Sequence, residues 1–166
     1  MTSIGAASIA AENKTPFIAA VALNKDHHPV AMNLNVVKGF RNSEIKRWAG
    51  KHLEPGNLVY SDGLACFSAV LDQGCHHYSI VTGGGPDSVT REEFTWVNTM
   101  IGNVKRSING AYHAINPKHL PRYPTEFCYR FNRRFDLQTI MPRFLAAAAN
   151  TPPMPGRLLK SAETYG

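Results

Sequence analysis

No two of the three cysteines, Cys66, Cys75 and Cys128, form a Cys-x-x-Cys pair, and their number is odd. That argues against a disulfide framework or a zinc ribbon and favours reduced thiols. His76 and His77 follow Cys75, and His113 and His119 lie further on, but paired zinc-ligand spacing is missing. No apolar run approaches the roughly 20 residues that cross a bilayer. The opening MTSIGAASIAAENK lacks the basic n-region of a signal peptide. No membrane partner is therefore expected, and a cytoplasmic location follows by default. Acidic residues are scarce in the last third. Residues 105–166 hold ten Lys/Arg against three Asp/Glu, net +7, whereas residues 1–104 hold eight against nine, net −1. Such asymmetry points to a polyanion partner such as DNA, the alternative being a basic solvated surface.

What remains is ordinary globular composition, 43% hydrophobic and 18% charged over 166 residues, enough for one domain. The expected domain spans 1–150, with a loose proline-rich tail over 151–166. The apolar run FIAAVAL, 17–23, predicts a buried strand, and the alternating VAMNLNVV, 30–37, its antiparallel hairpin partner. A helix is expected over about 43–53, capped by Asn42 or Ser43, then a strand over 58–61. A helix over about 64–72 and a strand over 77–81 come next. The glycine-rich stretch 82–90 reads as a loop. Thr90-x-x-Glu93 has the capping-box pattern and opens a long helix ending near Asn109-Gly110. Further helices are expected over about 117–134 and 139–149. Strands followed by alternating elements predict an α/β or α+β sheet flanked by helices.

Four groups could carry chemistry. Asp62 ends a short apolar strand and precedes Gly63, a position suited both to a ligand-binding carboxylate and to a plain turn aspartate. Asn98, on the long helix, is either a satisfied core amide or an oxygen ligand for a hard cation such as Mg²⁺. Lys105 lies two helical turns on, about 10 Å along the same face, where it could hold a phosphate. Glu92 and Glu93 read as helix-start charges. The block RYPTEFCYRFNRRFD, 122–136, interleaves Arg122, Arg130, Arg133 and Arg134 with Tyr123, Phe127, Tyr129, Phe131 and Phe135. Its aromatics read as core, and some of its arginines as phosphate contacts.

Taken together, VYSDGLACF (59–67), EFTWVNTMIGNVKRSINGAYHAI (93–115), RYPTEFCYRFNRRFDL (122–137) and ENKTPFIAAVAL (12–23) resemble DDE-type insertion-sequence transposases. The similar subgroup is the ISXO-like one, in which asparagine replaces the third acid and lysine follows seven residues later. The resemblance implies an RNase H-like fold and two Mg²⁺ ions activating water, then a DNA 3′ hydroxyl. It implies Asp62 and Asn98 as metal ligands and Lys105 as the lysine near the scissile phosphate. Lys105, Arg106, Arg130, Arg133 and Arg134 become DNA-binding candidates, with transposon ends as the partner and a homo-oligomer or full-length transposase as a further one. The pattern departs at the family's first aspartate. Only MTSIGAASIAA precedes ENKTPF, and it contains no Asp or Glu. The expectation is a truncated catalytic domain lacking its first central strand and inactive alone, or else a DNA-binding or transposase-inhibiting protein.

Overall fold

The computed structural model of the chain describes residues 1–9, 15–81, 91–111, 119, 122–156 and 160. Five strands are present: β1 Thr2–Ile9, β2 Thr15–Leu23, β3 Pro29–Val36, β4 Leu58–Asp62 and β5 His76–Ile80. The helices are α1 Asn42–His52, α2 Glu92–Ala111, α3 Arg122–Asn132 and α4 Ile140–Asn150. Two 3-10 segments, Ala65–Gln73 and Leu137–Thr139, are also found among the described residues. One sheet runs in the order β3-β2-β1-β4-β5. β1 pairs antiparallel with β2 and parallel with β4, and β4 pairs parallel with β5.

The vacancy expected at the centre of the sheet does not exist. Thr2–Ile9 fills it, joining the two halves. The segment TSIGAASI shows no clean alternation, so periodicity did not mark it as a strand. The open backbone edges of β2 and β4 provide the missing reason, because a buried unpaired edge is costly.

β2 is buried on both faces, which explains its unbroken apolar run. Ile18 and Ala20 pack with Ile45, Trp48 and Ala49 of α1 and with Val59, Phe67 and Val70. Phe17, Ala19, Val21 and Leu23 pack instead with Phe94, Val97, Met100, Val104 and Ile108 of α2. The sheet is therefore a septum between two apolar layers, α1 with the 3-10 helix on one side and α2 with α3 on the other.

β3 shows what its alternation is for. Met32 and Leu34 enter the α2 layer. On the other face, the Trp48 indole N–H donates to Asn33 Oδ1 at 3.2 Å and to Asn35 Oδ1 at 3.1 Å. A buried indole needs such a partner. The free edge of β3 is closed by a side chain: Asn132 accepts from the Met32 N–H at 2.8 Å and donates to the Met32 carbonyl at 2.9 Å. One amide thus stands in for a sixth strand and blunts an edge open to aggregation.

Local differences have local causes. No side chain caps α1: its N-cap is Arg41, without a side-chain hydrogen bond, so the expected Asn42 or Ser43 cap is absent. Residues 65–73 wind as a 3-10 helix, not an α-helix, closed by left-handed Gly74. α3 stops at Asn132, short of residue 134, and Arg133 and Arg134 continue as turns onto the carbonyls of Arg130 and Phe131. Thr90 of the capping box, the loop over 82–90 and residues 117–118 and 120–121 of the expected helix lie outside the described residues. Among the described residues, no helix is long and apolar enough to cross a membrane.

Candidate active-site face

Asp62 is the last residue of β4 and pairs with Ile80 of β5. Alternation puts Tyr60, Asp62, Tyr78 and Ile80 on one face, and Ile80 packs against the α2 layer. The half-buried Asp62 therefore belongs to the face that α2 covers. The turn reading also holds. Asp62 Oδ1 accepts from the Leu64 N–H at 3.4 Å. A Cβ on Gly63 would stand 2.9 Å from Val81 Cγ2, so glycine is needed where the two chains leave the sheet side by side. The carboxylate is felt nearby. Burial pushes the Cys66 thiol up, and the negative charge of Asp62 pushes it further.

The opposite face of the same strand end holds a pair that sequence reading did not single out. Ser61 is fully buried, its Oγ 2.8 Å from His77 Nε2, and it donates to the Asp62 carbonyl at 3.0 Å. This bridge ties β4 to β5 next to Asp62. The one signal for it in sequence was parity, since Ser61 and His77 share their face with Val59. Burial holds the His77 imidazole below its usual range. A folded-state value below the unfolded one means that folding favours the neutral ring. The stability this gives is complete above about pH 6.5 and is lost as the pH falls below it. Thermal melts between about pH 7 and pH 5 should show the wild type losing more stability than His77→Gln. Parallel losses would refute a role for this ring.

On α2 the acids Glu92 and Glu93 occupy the first turn, as expected. Phe94, Val97, Met100, Val104 and Ile108 form the buried stripe. At 100° per residue the stripe has two flanks. Trp96 marks one, its indole donating to the His27 carbonyl at 2.8 Å in the β2–β3 turn. Asn98 and Lys105 lie on the other. Asn98 is half-buried, whereas Lys105 and Arg106 are exposed.

The arginines of the 122–136 block lie elsewhere. α3 packs on β3, three strand spacings or about 14 Å from β4. Arg130 pairs with Glu126 at 2.5 Å, and Arg133 stacks on Tyr129 at 4.0 Å. Arg134 is held between Phe131 and Phe135, at 3.8 and 4.3 Å, and donates to the carbonyls of Phe131 and Pro29. Of the aromatics read as core, Phe127 and Phe131 pack against the α2 layer. Phe135 does not: it is 88% exposed.

A divalent-metal pair does not fit the residues in hand. Among the described residues no three His, Cys, Asp or Glu gather into a site. β1 pairs Thr2 with Val59 and Ile4 with Ser61, where the pairing ends; continued by one residue, that register would bring Gly5 level with Asp62. On that register β1 offers a glycine, not a carboxylate, next to Asp62.

A five-stranded mixed sheet with a central parallel pair and helices on both faces is the architecture of integrase catalytic cores. The crystal structure of the catalytic core domain of BIV integrase superposes with a TM-score of 0.52, at 11% identity, covering 86% of this chain and 97% of that one. The fold is RNase H-like. In sequence, residues 2–132 match the ISXO2-like transposase domain, and the chain belongs to that family. No curated protein matches the chain.

Proposed function

We propose that the chain acts on DNA as a transposase catalytic domain whose metal set is incomplete, so that alone it binds transposon ends without cutting them. The observation that carries this is the place of Asp62: at the end of a central strand, beside β1, on the face covered by α2, in a chain of a transposase family. In this reading Asp62 and Asn98 are metal ligands for Mg²⁺, and Lys105 is the cation at the phosphate. With Gly5 level with it on the continued register, Asp62 brings a single formal negative charge, too little for two Mg²⁺ ions. No cleavage step follows from these residues as they stand. The exposed pair Lys105 and Arg106 supplies DNA contacts nearest the site. Arg130, Arg133 and Arg134 are a second, separate strip at the β3 edge. The work is cytoplasmic, where the DNA is, and the partners are DNA, further copies of the chain or an intact transposase.

A second reading is favoured by the same charge distribution: a binding protein that occupies transposon ends or joins an active transposase and inhibits it. Both readings require phosphate-driven binding. In gel shifts across a salt series, affinity for end-bearing duplex should fall steeply with salt, and Lys105→Ala should reduce the log–log slope by about one. No affinity at low salt, or a flat salt response, would end both readings.

A further inference from the structure

Among the described residues, α4 is an apolar helix packed chiefly against its own connector, Leu137–Thr139. Its sequence, IMPRFLAAAAN, carries one charge, and every residue from Met141 to Asn150 is exposed. Met141, Phe144, Leu145 and Ala148 are spaced i, i+3, i+4 and i+7, so they line one side, and Arg143 points nearly the opposite way. Phe144 is 61% exposed, and Leu137 just before the helix 65%. Large apolar side chains lined up like this mark a contact surface.

A matching groove lies on the same molecule. Val30, Trp96, Met100, Phe131 and Phe135, together with the polar Asn24, His28 and the Arg134 held between the two phenyl rings, line a cavity of about 480 Å³ between the β2–β3 turn and the end of α3. A space of about 150 Å³ accommodates a benzene ring, so this one has room for about three such groups. Three is what a helix anchored through Met141, Phe144 and Leu145 would insert.

The helix cannot readily turn back into its own groove, because its connector is tied. The Thr139 hydroxyl donates to Asp136 Oδ2 at 2.7 Å, and the Asp136 N–H donates to the Arg133 carbonyl at 2.9 Å. Leu137–Thr139 is itself helical, and α4 follows without a flexible residue. These ties stiffen the connector between α3 and α4. We infer that α4 of one copy seats in the Val30–Trp96–Phe135 groove of a second copy, reciprocally, giving a two-fold dimer by helix exchange. The area agrees. The exposed apolar side chains of residues 135–145, the helix together with Phe135 of the groove wall, offer on the order of 600 Å² per copy, and used by both copies reach the roughly 1,200 Å² of a specific interface. The helix lies beyond the 2–132 family match, the groove largely within it, and the argument does not depend on the reading of Asp62.

Sedimentation of the full chain at micromolar concentration is the test. The wild type should be a dimer. Phe144→Asp on the helix and Val30→Asp on the groove should each weaken self-association at least about 30-fold, with circular dichroism unchanged. Val30→Cys mixed with Leu145→Cys should give a disulfide between the two different chains under oxidation. A monomeric wild type would overturn the inference, as would a dimer indifferent to both aspartates. So would a Val30→Cys/Leu145→Cys double variant that cross-links only within single chains, which would make α4 a lid on its own groove.

Discussion

Gly5→Asp should give the chain a much stronger response to divalent ions than the wild type has. Continuing the β1–β4 register places residue 5 beside Asp62, about 5 Å away across the sheet. Two carboxylates at that distance repel, so the variant in chelator should melt below the wild type. Adding Mn²⁺ or Mg²⁺ relieves the repulsion and supplies the oxygen ligands that a hard cation takes. At a metal concentration about 100 times the dissociation constant, the linkage gain is about 2.7 kcal/mol. For a chain of this size that is a rise of about 5–10 °C in Tm. The wild type should shift little over the same range. The comparison isolates the carboxylate, because Asp62→Asn on the Gly5→Asp background should abolish the metal response. A large metal-dependent rise in the wild type would show that ligands other than Asp62 suffice, and the incomplete-site reading would fall.

How much of this was legible in the sequence depended on how far each signal had to travel. The run at 17–23 and the alternation at 30–37 gave β2 and β3 to within two residues, because burial on two faces or one leaves a direct imprint. α2 carried its stripe openly in Phe94, Val97, Ile101 and Val104. β1 was illegible as a central strand. TSIGAASI lacks large apolar side chains beyond Ile4 and Ile9, and only the two neighbouring edges explain its pairing. The helical period through 122–134 was visible, yet its end was not, since Asn132 is spent on a strand a hundred residues away in sequence. The same long-range dependence hid the fate of Arg134, whose cation–π sandwich and carbonyl contacts come from β3 and from the turn after α3. For the proposed site, Asp62, Asn98 and Lys105 were readable only as residue types at a spacing. That the continued register brings Gly5 level with Asp62 was not readable, because it is a matter of strand pairing.

The two layers on either side of the sheet differ in how they fail, and the thinner one carries the second large effect. The α1 side is closed by α1 and a nine-residue 3-10 helix, with Phe67 fully buried between them and the sheet. A 3-10 helix has poorer hydrogen-bond geometry than an α-helix and gains little from its own backbone. Its position therefore rests on side-chain burial, chiefly Phe67 and Val70 against Ile45, Ala49 and Val59. Phe67→Ala removes an aromatic ring and leaves a cavity that Gly74 and the short segment cannot easily collapse to fill. The expected cost is about 3–5 kcal/mol in urea unfolding. Set against the 5–15 kcal/mol typical of a whole domain, that brings the chain near the threshold of folding. Leu71 is the internal control, since it lies on the same 3-10 helix but is 53% exposed. Leu71→Ala should cost no more than about 0.5 kcal/mol. If both changes cost the same, the 3-10 helix would not be held by its buried face. The β4 end that carries Asp62 would then have to be positioned by the Ser61–His77 bridge and the strand pairing alone.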